Sequence, residues 1–184
     1  AIVDAQAVNP NALMQPSFDA RTSALSLGTQ RLLERLGVWS SLSLQACPIE
    51  HIQVSQQRQF GRVHLHADEL DVPAMGYVVE NRHLGQALWQ TILQRTSLPY
   101  SSVEVFAPAQ MQSVSVNQTG ALIDVETQDG ESLKLEANLL VLADGANSPG
   151  CKALGIYQTR HDYGQHAIVA NIAFDQPHQN WAFE

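Results

Sequence analysis

Apolar residues along this chain fall into short runs and stripes that alternate between a strand period and a helix period. The run Leu139-Leu140-Val141-Leu142-Ala143 has strand length and reads as a strand covered on both faces. It ends in Asp144-Gly145, where the backbone must turn and a glycine removes the steric cost of an unusual φ. Leu27 to Leu36 reads as a helix. Leu25, Leu32, Leu33 and Leu36 share one side of a wheel of about 3.6 residues per turn. Ser26 can cap its start and Gly37 can end it, and the whole stripe is expected in the core. Asn81 to Thr96 is the second helix, with Leu84, Ala87, Leu88, Thr91 and Ile92 on its buried face and Asn81 as a cap.

The remaining pattern is strand-like. Ala1-Ile2-Val3-Asp4 reads as the tail of a strand closed by an acidic residue. Ile49 to Val54 and Phe60 to His66 alternate around Gln56 to Gln59, as a hairpin with a polar outer face. An acidic loop from Asp68 to Pro73 leads into a returning strand, Met75 to Val79. Ser102 to Phe106 is a short strand. Met111 to Val116, Ala121 to Thr127 and Ser132 to Leu135 form a meander with turns at Asn117 to Gly120 and Asp129-Gly130. Gln165 to Phe174 is a further apolar strand, and Asn9 to Pro16 is a loop. This pattern predicts a mixed α/β chain. Leu139 to Leu142 should be the central strand of a mixed sheet, with the two helices on it or beside it.

Composition narrows the field. A length of 184 residues suits one domain, or one domain and part of another, and a hydrophobic fraction of 45% supports a packed core. The net charge is −8, and Lys134 and Lys152 are the only lysines. That argues against a nucleic-acid partner, which needs a basic face, and does not favour a broad electrostatic dock onto anionic lipid. No apolar window approaches the roughly 18 residues of a membrane-spanning helix, and the N-terminus has no signal-peptide pattern. Cys47 and Cys151 stand far apart in no metal-ligand spacing and read as free thiols of a cytoplasmic protein. His64 and His66 share a strand face, but no third ligand is near in sequence, so no metal site is expected.

Few residues carry candidate chemistry. Asp144, at the end of an apolar strand and followed by small residues, suits a ribose or another polar ligand; the alternative is an ordinary Asp-Gly turn. Asp4 stands where a dinucleotide-binding unit places the acid that takes ribose hydroxyls. No GxGxxG precedes it or occurs elsewhere, so an ordinary surface acid is the alternative. Arg21 offers a fork of donors to a phosphate or carboxylate. Glu80, Asn81 and Arg82 sit where a strand becomes a helix, and the first helical N–H groups are unpaired there. No Ser/His/Asp constellation or carboxylate pair suggests hydrolysis, and no catalytic residue can be named.

Leu140-Val141-Leu142-Ala143-Asp144-Gly145-Ala146-Asn147-Ser148 resembles the Asp-Gly motif of flavin-dependent aromatic hydroxylases, the para-hydroxybenzoate hydroxylase class. Phe18 to Leu25 resembles the flavin-contacting arginine segment of that class. Arg31 to Trp39, Tyr77 to Trp89 and Ala167 to Ile172 resemble its ubiquinone-biosynthesis branch, nearest the octaprenyl-methoxyphenol hydroxylases. The resemblance implies a partial FAD-binding, Rossmann-like domain from residues 1–48 and 81–162. It implies part of a substrate-covering β-sheet from residues 49–80 and 163–184. It implies FAD as cofactor, held by Asp4, Arg21, Asn81, Met111, Asp144 and Gly145. NADH or NADPH would be the co-substrate and a polyprenyl phenol the substrate, hydroxylated with O2. Peripheral association with the inner membrane or with a biosynthetic complex would accompany that role. One departure stands out: the class has an arginine about three residues past the serine, where this chain has Cys151 beside Lys152. That weakens the nicotinamide contact more than the flavin contact.

The competing reading is a cofactor-free α+β binding or interaction module, which suits the acidic charge and the missing glycine-rich loop. The chain begins in mid-strand and ends in mid-sheet, as an internal fragment would. On that expectation the isolated chain holds no flavin and has no hydroxylase activity. A sheet edge beside Ala1 to Asp4 would then be open to self-association.

Overall fold

The computed structural model describes residues 1–7, 9, 21–97, 103–173 and 175–184. The expected loop beyond Asn9, the segment Phe18 to Ala20 before Arg21, Ser102 and Phe174 lie outside the described residues. In chain order the first elements are strands β1 (Ile2–Val3) and β2 (Thr22–Ser26) and helices α1 (Leu27–Arg35) and α2 (Trp39–Leu42). Strands β3 (Cys47–Ile49), β4 (His51–Ser55), β5 (Arg62–His66) and β6 (Gly76–Glu80) lead to helix α3 (Asn81–Thr96). Strands β7 (Val105–Phe106), β8 (Ala109–Val116), β9 (Ala121–Thr127) and β10 (Ser132–Ala137), helix α4 (Pro149–Ala153) and strand β11 (Trp181–Phe183) complete the set. The chain is mixed α/β, as its pattern predicts. It forms two compact units, Ala1–Val8 with Arg95–Ala167 and Asn9–Gln94 with Ile168–Glu184.

In the first unit, β8, β9 and β10 form the expected antiparallel meander, and β1 pairs in parallel with β7. Asn117 shapes the first turn, its Oδ1 accepting the N–H groups of Thr119 and Gly120 at 2.8 and 3.0 Å. Ala109, Ala121, Ile123 and Val125 form the core, and the partly buried Met111, Leu133, Leu135 and Leu140 pack against it. This is the alternation of a sheet with one face in a core.

In the second unit, β6 is paired on both sides, with β2 and β3, both antiparallel. Ser26 caps α1 as expected, its hydroxyl accepting the Thr29 N–H at 3.1 Å. Gly37, at φ 78°, lets the chain leave the helix. Leu33, Val38, Leu42, Val79 and Ala87 form the core, and Trp39 and Tyr77 meet edge to face with centroids 4.8 Å apart. Gly76 is needed where β6 crosses Leu25, because a Cβ there would lie 2.5 Å from the Leu25 carbonyl oxygen. A separate sheet runs β11-β4-β5.

Four expectations need correction. Leu139 to Ala143 is not a strand, and no single mixed sheet forms among the described residues; the sheets have two or three strands each. Leu139 and Val141 are 78% and 74% exposed, while Leu140 and Leu142 are half-buried, so only one face is covered. A strand needs a ladder, and no described strand pairs with this segment. Gln165 to Phe174 likewise forms no strand over its described residues; Ile168 is 96% exposed. Its β-branched residues favour a sheet only where a neighbouring edge and a covered face exist. The expected strand Ile49 to Val54 is split at Glu50, with β3 on β6 and β4 on β5. Pro48 sits in β3 at the edge of its sheet, where the missing N–H is tolerated. The α1 stripe is only partly core, since Leu32 and Leu36 are exposed and Gln30 is buried beside Leu33.

Leu42 is fully buried and Leu44, two residues on, is 90% exposed. Leu42→Ala should lower unfolding stability by about 2–5 kcal/mol. Leu44→Ala should stay within about 0.5 kcal/mol of the parent. Urea unfolding followed by circular dichroism separates the two, and equal effects would contradict this core.

Candidate cofactor site

The Asp-Gly turn is built almost entirely by its own residues. Gly145 has φ 86°, a left-handed conformation that suits glycine. The Ser148 N–H donates back to the Gly145 oxygen at 3.2 Å. The buried Ser148 caps α4, its Oγ accepting the Cys151 N–H at 2.9 Å. Asp144 Oδ2 accepts the Gly150 N–H at 2.9 Å, close to the start of the same helix. Hydrogen bonds from the Ser148 hydroxyl and then from the Gly150 N–H hold the Asp144 carboxyl below the usual carboxylate range, against a smaller opposing effect of desolvation. Gly150 is buried, and a Cβ there would meet the Leu142 side chain and come within 3.2 Å of Asp144 Oδ2. Arg160 reaches back to the turn, its Nη2 donating to the Ala146 oxygen at 3.2 Å and to Asn147 Oδ1 at 2.9 Å.

Asp4 and Met111 lie in the same unit as that turn. The Asp4 N–H donates to the Phe106 oxygen at 3.0 Å, and the Ala109 N–H donates to the Asp4 oxygen at 2.8 Å. Main-chain bonds therefore bind Asp4 to the start of β8, two residues before Met111. The Asp4 carboxylate accepts the Gln6 N–H at 2.9 Å and so closes a local turn. Met111 is half-buried at a bulge between Met111 and Ser113, and α4 packs against the same strand.

The other unit brings Arg21 and Asn81 together. The Asn81 N–H donates to the Arg21 oxygen at 2.8 Å, continuing the β2–β6 ladder by one step. Asn81 is the first residue of α3, and its Oδ1 accepts the Ser23 hydroxyl at 2.6 Å, so its side chain ties helix to strand. Arg82 pairs with Glu80, Nε to Oε2 at 2.5 Å. Arg21, an exposed residue, thus stands at the strand end beside the opening turn of a helix of 16 residues.

The pattern missed a second cluster in this unit. His51 faces His66 across β4 and β5, with their Nδ1 atoms 2.8 Å apart. His64 Nε2 lies 3.1 Å from Gln53 Oε1. Trp181 on β11 has its ring centroid 4.9, 5.5 and 5.7 Å from those of His51, His64 and His66. The His64/His66 pair was visible in the sequence. His51 belongs to it only once the hairpin register is known, and β11 is three residues long with no period to read. Among the described residues no group of three or more His, Cys, Asp or Glu side chains could hold a metal ion. No helix among them is long and apolar enough to cross a membrane.

The FAD binding domain family matches residues 11–183. The chain belongs to that family. It is 34% identical over 176 residues to the ubiquinone hydroxylase UbiL of Rhodospirillum rubrum, covering 96% of this chain and 39% of that protein. It is 30% identical over 155 residues to the 3-demethoxyubiquinol 3-hydroxylase of Escherichia coli, covering 84% of this chain and 37% of that protein. It therefore spans about two-fifths of the length of these curated relatives. The p-nitrophenol 4-monooxygenase PnpA of Pseudomonas putida superposes with a TM-score of 0.60 at 15% identity, covering 77% of this chain and 35% of that one. The anhydrotetracycline hydroxylase OxyS of Streptomyces rimosus gives 0.61 at 18% identity, covering 83% and 28%. These two establish the fold. Within each unit the donors suit FAD: in one, an arginine at a strand–helix junction for an anionic or carbonyl group; in the other, acids on tight turns for hydroxyls.

Because folding lowers the Asp144 carboxyl, the ionised form favours the folded turn. That contribution is complete above the ordinary aspartate value of about 3.9 and is lost as pH falls through the lower folded value. Asp144 is exposed, so solvent screens the effect and it stays small. A carbon-detected NMR titration should place the Asp144 midpoint below the ordinary value, and Ser148→Ala should move it up. An unmoved midpoint in that variant would refute the hydroxyl as the main cause.

Proposed function

We propose that this chain is part of an FAD-dependent monooxygenase that hydroxylates a polyprenylated phenol in ubiquinone biosynthesis, with NADH or NADPH and O2. The observation that carries this reading is the family match across residues 11–183, joined by relatives named as ubiquinone and demethoxyubiquinol hydroxylases. Residues 1–48 and 81–162 contribute to the cofactor side; residues 49–80 and 163–184 contribute to the sheet over the substrate. When bound, FAD supplies the redox and oxygen chemistry.

The chain's own residues bind, orient and exclude water. Arg21 donates its fork to the cofactor beside Asn81, and Ser23 fixes the Asn81 carboxamide. Asp144 and Gly145 present the turn, Asp4 lies at the ribose end, and Met111 lines the same strand region. On the β11-β4-β5 sheet, the face bearing Trp181, His51, His64 and His66 offers aromatic surface and imidazole nitrogens. Such a face suits a phenol ring, by stacking and by hydrogen bonds to ring oxygens. Docking at the inner membrane, as a peripheral cytoplasmic protein, would give access to the polyprenyl tail.

In the full-length enzyme, Arg21→Ala and Asp144→Ala should each weaken FAD. Loss of a charge-assisted contact costs about 1.5–3 kcal/mol, roughly ten- to a hundredfold in affinity. Flavin fluorescence quenching measures it; unchanged affinity in both variants would remove these assignments.

Trp181→Leu should weaken phenol binding by up to about tenfold through lost ring contact, with FAD affinity unchanged. Difference absorbance of the flavin on phenol titration reads this out. Equal phenol affinity in the variant would take Trp181 out of the ring site.

A further inference from the structure

We infer that Arg160 is a positioning residue for the Asp-Gly turn, bracing its apex from outside the motif in a chain that has Cys151 where the flavin hydroxylase pattern has an arginine. The inference rests on the proposed flavin role of Asp144 and Gly145.

The turn has two sides, held differently. Its C-terminal side is tied three times from within: Ser148 N–H to the Gly145 oxygen, Cys151 N–H to Ser148 Oγ, and Gly150 N–H to Asp144 Oδ2. The apex, Ala146 and Asn147, takes part in none of these bonds. The Ala146 oxygen and Asn147 Oδ1 both receive their donor from a single group, Arg160 Nη2, at 3.2 and 2.9 Å. No other donor to either acceptor is present among the described residues.

Neighbouring side chains cannot do this work. A thiol is a weak, uncharged donor, so Cys151 cannot bridge a carbonyl and a carboxamide at once. Its main-chain N–H is already given to Ser148. Lys152 is a point charge on a flexible stem, without the planar fork that fixes two acceptors in one geometry. Arg160 meets the requirement from 13 and 14 residues along the chain. It touches the turn and need not touch the cofactor. Its effect on a ligand runs through the direction of the peptide after Gly145, where a left-handed φ leaves the backbone free to swing.

The test uses the full-length enzyme with FAD as the probe. Arg160→Ala should raise the FAD dissociation constant about tenfold, because the unbraced turn must be ordered again when the cofactor binds. Arg160→Lys should recover only part of that, and Arg160→Gln provides a second variant if the alanine form does not fold. Asn147→Ala should also weaken FAD, and the Arg160→Ala/Asn147→Ala double variant should be no worse than Arg160→Ala alone, because Asn147→Ala removes one of the two bonds that Arg160→Ala already removes. The visible circular dichroism of bound flavin at saturation should change in Arg160→Ala while the thermal unfolding midpoint does not. A structural role alone would move the midpoint instead. Undiminished FAD affinity in Arg160→Ala or Arg160→Gln overturns the inference, as do additive losses in the double variant. Asp144→Ala separates the two levels. If it weakens FAD while the Arg160 variants do not, the cofactor reading stands and this inference falls. If neither changes FAD binding, both fall.

Discussion

The antiparallel ladder between Thr22–Ser26 and Gly76–Glu80 carries one of the two cofactor arrangements. It sets Arg21 opposite the residue that opens helix α3, and the bond from the Asn81 N–H to the Arg21 oxygen is its last rung. Side chains alternate along a strand, so a slip of one residue would send every one of them to the other face. Val79 would leave the core it shares with Leu33, Leu42 and Ala87, and the Ser23 hydroxyl would lose Asn81 Oδ1. Burial of an apolar residue and placement of a polar one therefore depend on the same register. Gly76 secures it at the far end, where the close approach of the Leu25 carbonyl leaves no room for a side chain. The core holds the strand, and the strand holds Arg21 at the helix entrance.

The Asp-Gly turn solves a different problem. It has little apolar burial to hold it, and its residues are mostly exposed, so polar bonds must define its shape. Each is modest alone, because folding exchanges bonds with water for bonds within the chain. Their value is geometric. Ser148 is both the cap of α4 and the hydroxyl that lowers Asp144, so one buried side chain orients a helix and a carboxylate together. The tight packing of Gly150 against Leu142 and Asp144 Oδ2 joins this network to the half-buried side of the preceding segment.

Local chemistry and hairpin pairing were legible in the sequence, while pairing between distant segments was not. Ser26, Gly37, the meander turns and the helix from Asn81 follow from near neighbours, and their positions emerged as read. The segment Leu139 to Ala143 was misread because an apolar run reports burial potential and not a partner; Leu140 packs against the meander core, Leu142 lies against Gly150, and Leu139 and Val141 are exposed. The strand expected over Gln165 to Phe174 failed for the same reason over its described residues. His51 and Trp181 were invisible because their role depends on cross-strand register, a long-range property. Among the candidate residues, Asp144 and Gly145 were read together as one turn, whereas Arg21 and Asn81 were read separately and only the β2–β6 register sets them opposite each other. Arg160 was not legible, since nothing in the spacing from Asn147 marks it.

Both acids offered for the cofactor are already employed. Asp4 accepts the Gln6 N–H and Asp144 accepts the Gly150 N–H. An ionised carboxylate has about four lone-pair sites, so one internal bond does not exhaust it. It does fix the rotamer, and a fixed rotamer reduces the entropy lost when a ligand hydroxyl arrives. The same bond means that an alanine at either position removes a turn contact along with any ligand contact. A loss of flavin affinity at Asp144 must therefore be set against the change in turn stability before it is assigned to direct binding. Arg21 differs, because the bond it is known to make to Asn81 uses its main-chain oxygen, which survives in Arg21→Ala. The ladder that places Arg21 runs through main-chain atoms, so Arg21→Ala leaves that rung in place.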